Sequence, residues 1–467
     1  MKNLFLLFIT ACCIILATNS CKKDTFITSP NAQLNLTDTV KFDTVFTSIG
    51  SITKSFKIFN ENTQKLLISK IKLMGSSTSP FRLNINGVAA TELIDIEIAS
   101  NDSIYVFVSV SINPSASNLP FIITDSVLIN YNGNTRYVQL QAYGQNAIYL
   151  NNQVITGTVS WTNTLPYVIL GGMRIDTTAI LNIAAGTKIY LHADAPFIVD
   201  GTLLLNGTIN EKIVFTGDRL DEPYVNFPAS WPGIYFRESS KNNVLNFAVI
   251  KNASQAVVSA GPSVNTNPKI VLQQVEIDNA SDAGLLLINS NAEVNNSLIR
   301  NCGSNVVIQR GGNYSFTHCT VASYSTLYLL HSKPVLSVAD YGLVNGVLSF
   351  SSLDALFKNC IFWGENNALE NEISIIKQGT NTFSVTMDHC LYKALNDPSN
   401  TDLISVIKNI DPVFDSIDYT HNYFDFRISK DPLAPGIDNG TLTTFVKDLD
   451  DNQRNIIIPD IGCYEKQ

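Results

Sequence analysis

Charge is scarce in this chain: 15% of its 467 residues are Asp, Glu, Lys or Arg, against 45% hydrophobic residues. What charge there is leans acidic, with a formal net value of −9. Nucleic acid and anionic membrane surfaces are therefore poor electrostatic partners. The low charge does not signal disorder, because Asn, Ser and Thr fill the polar positions and apolar residues remain abundant. No Ser-His-Asp motif, phosphate-binding glycine loop or Cys-x-x-Cys pair occurs. Beyond the N-terminal segment no stretch approaches 18 consecutive apolar residues, so no spanning helix is predicted. Disulfides are also poorly served. Cys12, Cys13 and Cys21 belong to the N-terminal segment, which leaves Cys302, Cys319, Cys360, Cys390 and Cys463. That is an odd number, and they cannot all pair within one chain.

What the chain does have is a repeat. Ala248-Val-Ile250-Lys-Asn252, Val275-Glu-Ile277-Asp-Asn279, Ser297-Leu-Ile299-Arg-Asn301 and Cys319-Thr-Val321-Ala-Ser323 align, followed more loosely by Cys360-Ile-Phe362-Trp-Gly364 and Cys390-Leu-Tyr392-Lys-Ala394. The steps from 279 to 301 and from 301 to 323 are 22 residues each, and longer steps mark loops growing from one corner. Within a unit, apolar or small residues alternate with mixed ones, the period of a strand. A five-residue strand cannot bury its own face, so such units stack. Stacking in register predicts an inward column of Ala248, Val275, Ser297, Cys319, Cys360 and Cys390, beside another of Ile250, Ile277, Ile299, Val321, Phe362 and Tyr392. It predicts a column of Asn252, Asn279 and Asn301 at a strand end, where asparagine tolerates left-handed backbone and bonds its counterpart in the next coil. His318 and His389, each preceding an inward cysteine, are expected to point outward, which argues against a Cys/His metal site.

With a second apolar run after each asparagine column position (Leu285–Ile288, Val306–Ile308) and a third before the next unit (Tyr314-Ser-Phe316), three strands fall in each turn. This resembles the right-handed parallel β-helix of the pectate-lyase-like family. The segment from Asn151 to Glu238, with Leu181-Asn-Ile183, Gly186-Thr-Lys-Ile189, Val199-Asp-Gly201 and Trp231-Pro-Gly233, resembles the opening coils of bacterial members. The ordered pieces Asp411-Pro-Val-Phe414, Ala434-Pro-Gly-Ile437, Asp448-Leu-Asp450-Asp-Asn452-Gln-Arg454 and Pro459-Asp460-Ile-Gly462 resemble the terminal segment of extracellular ones.

At the N-terminus, Lys2 precedes an apolar stretch from Leu4 to Ala17, too short to span a bilayer and suited to a signal peptide. Cys21-Lys-Lys-Asp24 at its end resembles a bacterial lipoprotein, whose cysteine becomes the acylated first residue. Thr18 and Asn19 depart from the preferred Leu and Ala or Ser, and an ordinary secretory peptide is the other reading. The resemblance implies an address in the cell envelope, anchored to the outer membrane through Cys21 alone. Residues 34–146 read as about seven alternating strands with turn signals such as Asn86-Gly87 and Asn132-Gly133. They resemble a cysteine-free immunoglobulin-like β-sandwich acting as spacer. The predicted fold class is thus all-β: a signal peptide at 1–20, a tether at 21–33, a sandwich at 34–146, a parallel β-helix solenoid at 150–425 and a capping segment at 426–467.

The fold hosts hydrolases, lyases and non-enzymes, so residues must decide. The hydrolase family's carboxylate pattern is represented only by Asn400-Thr401-Asp402, without Gly-His-Gly or Arg-Ile-Lys. Outward Glu276, Asp278, Arg300 and Lys393 read as a solvated face, and no catalytic residue is expected. Asp448, Asp450 and Asn452 have the alternating oxygens of a calcium loop but lack its glycine and distant Glu. A capping turn with an Asp–Arg454 pair competes, and otherwise no cofactor is expected. Two functions remain. One is a surface-displayed, non-catalytic binding module for extracellular polysaccharide or a surface protein, with Trp231, Tyr235, Tyr324, Tyr328 and Trp363 as possible sugar contacts. The other is a polysaccharide lyase or glycoside hydrolase, which three acidic side chains in one groove would favour.

Overall fold

The computed structural model describes residues 25–46, 51–113, 121–365, 369–428, 431 and 433–466. The segment read as a signal peptide, 1–20, and the lipid-anchor residue Cys21 lie outside the described residues. The described chain is built from strands, and its only helical segments are the short 3-10 turns Ser76–Thr78 and Tyr224–Asn226. It divides into two units, Met1–Asn146 and Ala147–Gln467.

The first unit is a β-sandwich of two five-stranded sheets. One orders Leu34–Leu36, Lys54–Asn60, Ser103–Val110, Phe81–Ile85 and Val88–Ala89, and the other Thr39–Phe46, Asn134–Gln145, Phe121–Tyr131, Leu66–Leu73 and Glu92–Ile98. Alternation buries one face of each strand, so Phe56, Ile58, Val106 and Val108 join Ile71, Val127, Ile129 and Leu140 in one core. Asn132 and Gly133, at φ 45° and 78°, close the hairpin expected of that pair. The described part of the segment read as a tether, 25–33, is docked instead. Phe26 bridges to Lys65, and Ile27 packs on the core. The Asn132 amide holds the carbonyls of Ile27 and Ser29, and Asn134 that of Pro30. The Ile27 side chain, the backbone pairing to Lys65 and the donors of a hairpin turn outweigh the polar look of the segment.

The second unit is a parallel β-helix. Twenty-six strands form one continuous parallel ladder. Each coil visits three faces, here sheets A, B and C. In one coil Ile270–Gln273 belongs to A, Glu276–Asp278 to B, and the start of Ala283–Asn295 to C before that strand turns the corner into A. The expected inward column pairs in order, Ile250 with Ile277, Ile299, Val321, Phe362 and Tyr392. Cys319, Cys360 and Cys390 are buried, unpaired thiols in the same core. Each donates to a carbonyl one coil back, Val294, Phe316 and Phe357 respectively. They act as small hydrophobes whose one proton has a partner.

The corner from B to C is the asparagine column. Asn252, Asn279 and Asn301 have φ of 63°, 56° and 49°, and the Asn279 amide donates to Asn252 Oδ1 at 2.8 Å. The corner from A to B is a second left-handed column of mixed residue types: Phe247, Gln274, Asn296, His318, Asn359 and His389, with φ between 45° and 54°.

The last parallel strand is Ile407–Lys408, after which Phe414–Asp418 and Tyr423–Ile428 pair as an antiparallel hairpin. The segment expected to cap the end of the solenoid does something else: it runs back along the flank. Thr441 exchanges hydrogen bonds with the Asn359 side chain, and Thr443 Oγ1 lies 3.1 Å from His318 Nε2. Arg454 donates to Asn296 Oδ1, and Gln274 donates to the Asp448 carbonyl. Hairpin and tail bury Leu298, Ala322, Ile361, Trp363 and Leu391 of sheet B's outer face beneath Phe414, Phe424, Phe426, Leu449, Ile461 and Tyr464. His318 does point out of the coil, yet it is fully buried, because the tail lies over it.

Candidate functional site

The outer face of sheet B carries one column across six coils. Lys251 pairs with Asp278, Asp278 with Arg300, Arg300 with Ala322, and Ala322 with Trp363. Lys393 follows in the next coil, after the paired residues Phe362 and Tyr392. The hairpin crosses the middle of this column and leaves a cleft on each side.

The first cleft, of about 200 Å³, is lined by Lys251, Asp278, Arg300, the column asparagines, and Asn226, Thr326, Asn422 and Tyr423. Arg300 bonds Asp278 at 3.1 Å and donates to the Phe424 carbonyl at 2.8 Å. Burial disfavours its charge, but Asp278 and Glu276 outweigh burial and raise its pKa. Glu276 is itself held by Lys212. These charges are a braced, half-covered network and not the solvated face expected. Arg300 Nε and Asn279 Oδ1 are buried without a protein partner, one donor and one acceptor in the lining of the same cleft. The loop that leaves the coil at Asp218 closes one side. Asn252 and Asn279 hold the carbonyls of Val225 and Asn226.

The second cleft, of about 350 Å³, is lined by Trp363, Glu370, Lys393, Ala394, Leu395, Asn409 and Asp411. Lys393 donates to the Glu365 carbonyl and lies 3.9 Å from Glu372. Glu372 is fully buried, with both oxygens 3.0 Å from His331 Nε2.

The aromatic residues predicted as sugar contacts are placed differently. Trp231 is fully buried, its indole donating to the Lys251 carbonyl and its ring against Phe215. Trp363 lies under the tail at 3% exposure. Tyr324 is enclosed by Phe414, Phe424, Phe426 and Tyr419. Tyr235 is half-buried on the Pro232 carbonyl. Trp231, Trp363 and Tyr324 are packing residues, because the loops and tail that cover them carry no repeat and leave no mark on the strand pattern. Tyr328 is half-buried against Phe227 at 5.0 Å. Two rings that do meet solvent beside these clefts are Tyr419 and Tyr423, 50% and 55% exposed at the hairpin turn. Tyr423 lines the first cleft. Tyr419 reaches Glu365, whose carbonyl anchors Lys393 of the second. Sequence reasoning missed both, although two tyrosines within the short polar turn Asp418–Tyr423 were the available signal.

The calcium-like residues form a turn saturated by protein donors. Asp448 Oδ1 accepts from the backbone of Asp450 and Asn452, and Oδ2 from Glu465 N and the Asn452 amide. Asp450 faces Arg427 at 2.7 Å. Arg454 pairs with Glu465, not with an aspartate of the turn. No group of three or more His, Cys, Asp or Glu among the described residues is arranged to hold a metal. A cavity of about 210 Å³ here gathers Asp415, Asp448, Asp450 and Glu465, the acidic count that would favour an enzyme. Yet Asp448 and Glu465 are consumed by backbone donors and Asp450 by Arg427, which leaves only Asp415 exposed to solvent without such a commitment. Asn400-Thr401-Asp402 lies at the last coil, where Asn400 and Asp402 are exposed at the start of strand Asp402–Ile404.

No family model matches the chain, and no curated protein matches it. Among solved structures, the catalytic unit of a GH87 alpha-1,3-glucanase from Streptomyces thermodiastaticus aligns over 76% of this chain and 89% of its own, at 9% identity and a TM-score of 0.20. A family 123 glycoside hydrolase from Clostridium perfringens aligns over 25% of each chain, at 10% identity and a TM-score of 0.18. A PapD-like domain of human CEP192 aligns over 27% of this chain and 92% of its own, at 13% identity and a TM-score of 0.17. This chain thus spans only a quarter of the family 123 enzyme. Similarity at this level carries no functional argument.

Proposed function

We propose that this protein is a non-catalytic glycan-binding module displayed on the cell envelope, with the polymer lying along the overlaid flank of sheet B across Tyr423 and Tyr419. The observation that carries this reading is the first cleft: five asparagines, a Lys and an Arg–Asp pair converge there beside a half-exposed tyrosine. Amide side chains both donate and accept, as sugar hydroxyls do. Arg300 and Asn279, both in the lining of this cleft, each keep one polar atom without a protein partner, a donor and an acceptor. Tyrosine supplies a flat apolar face with a polar tip. The two clefts flank the hairpin along the stacked coils, so an extended chain laid over its turn would cross several coils. The test is retention on immobilised polysaccharides. Tyr423→Ala should lower retention about tenfold while the melting temperature holds, since the ring is exposed and contributes mainly to the interface. Unchanged retention on every polymer bound by the parent would refute the assignment.

In the same reading Cys21 carries the lipid anchor, the sandwich is an immunoglobulin-like spacer, and binding needs no metal. Cys21→Ala should move the protein from the membrane fraction to the soluble one. One observation favours an enzyme instead: Lys393, Glu370 and Asp411 share the second cleft, an amine beside two carboxylates. Turnover of a polysaccharide that Glu370→Gln abolishes would establish that alternative.

A further inference from the structure

Between sheets C and A of one late coil the chain leaves the solenoid as a separate hairpin, Tyr341–Val344 paired with Val347–Phe350. Asn345 and Gly346, at φ 51° and 79°, form its two-residue turn. Its base is fixed. Buried Asp340 accepts from the backbone of Gln378 and Gly379, and Gly342 lies against the Arg310 side chain. Its outer half is not covered: Leu343, Val347 and Leu348 are 68%, 68% and 50% exposed.

We propose that this hairpin is a membrane-contact tip that dips into the interface of a zwitterionic phospholipid bilayer. Three features select lipid over another occupant. First, residues 341–353 contain no charged side chain. Second, the register places Leu343 opposite Leu348 on one face and Val344 opposite Val347 on the other, so the tip is apolar on both sides. A protein surface docked on one face leaves the other wet, whereas a bilayer interface surrounds the tip. Third, the base carries cations at headgroup level: Arg310 beneath Gly342, and exposed Lys377 beside Gln378. The exposed carboxylate of this region, Asp354, belongs to the solenoid strand that follows. Two residue pairs at about 3.4 Å per residue reach about 7 Å, within the roughly 5–10 Å depth of interfacial insertion. At that depth water still reaches the unpaired strand edges, which the hydrocarbon core would not allow. The contact is separate from the glycan clefts and from any acyl anchor.

The test uses the chain from Lys22, free of leader and acyl group, floated with phosphatidylcholine vesicles. The parent should float, and the triple variant Leu343→Ser, Val347→Ser, Leu348→Ser should lose about a hundredfold in partitioning at an unchanged melting temperature. Val347→Trp, read by fluorescence, should shift to the blue on adding vesicles and serves if the triple variant misfolds. A parent that stays with the soluble fraction, or an unshifted tryptophan, overturns the proposal. So does a parent dimer that the triple variant dissolves without any flotation, which would assign the tip to a second copy of the chain.

Discussion

His318 offers the sharpest test of the flank architecture. It sits in the left-handed column at φ 53°, fully buried between the Asn359 amide and Thr443 of the tail. Burial, reinforced by the Arg454 charge, pushes its pKa well below the ordinary 6.5. A depressed folded-state value means that the unfolded chain takes up the proton first as pH falls. Stability is therefore lost from about pH 6.5 downward, until the folded-state value is reached. With an unfolded pKa of about 6.5 and a depressed folded one, the loss is on the order of 1 kcal/mol at pH 5.5 and at most about 2 kcal/mol at pH 5.0. His318→Asn is the matched control, because Asn296 and Asn359 hold the same register position in the flanking coils. Buried Asp460 and Glu465 titrate with the opposite sign, burial having raised both. The difference between the two proteins isolates the histidine. Urea unfolding at pH 7.5, 6.5, 5.5 and 5.0 should show the curves converging as pH falls, with the variant gaining about 1–2 kcal/mol relative to the parent. Parallel profiles would mean that His318 is solvated and that the tail does not cover it.

Ile299→Asp, which places a carboxylate in the stacked column between Ile277 and Val321, should cost at least about 3 kcal/mol in urea unfolding. Trp363→Ala should cost about 3–5 kcal/mol, because the ring is core beneath the tail and not a sugar platform. An unaltered unfolding midpoint in either variant contradicts the burial assigned. A chelator should leave the melting temperature of the calcium-like turn's parent protein unchanged, since Asp448 already accepts from backbone donors; a fall restored by calcium would show that a cation is bound.

The solenoid was legible because stacking makes identical positions recur. Isoleucines and asparagines fell into columns at steps of 22 and 27 residues, and the cysteines continued the pattern at longer ones. The second left-handed column was not, because its residues, from Phe247 to His389, share a backbone conformation and no side-chain type. The tail escaped for a related reason. Residues 431–466 hold the flank through single contacts, such as Thr441 to Asn359 and Arg454 to Asn296, with no period to betray them. Misplacing the tail then misplaced the site. Trp363 and Tyr324 looked like exposed aromatics on a strand face, whereas hairpin and tail cover them and the hairpin's own Tyr419 and Tyr423 meet solvent.

The most direct measurement is a polysaccharide panel presented to the purified chain, reading retention and released reducing or unsaturated ends together. We expect retention of at least one polymer with no product release, and its loss on replacing both Tyr419 and Tyr423 by alanine at a constant melting temperature. Product release that disappears on a single Asp or Glu substitution would contradict the account and make this β-helix an enzyme.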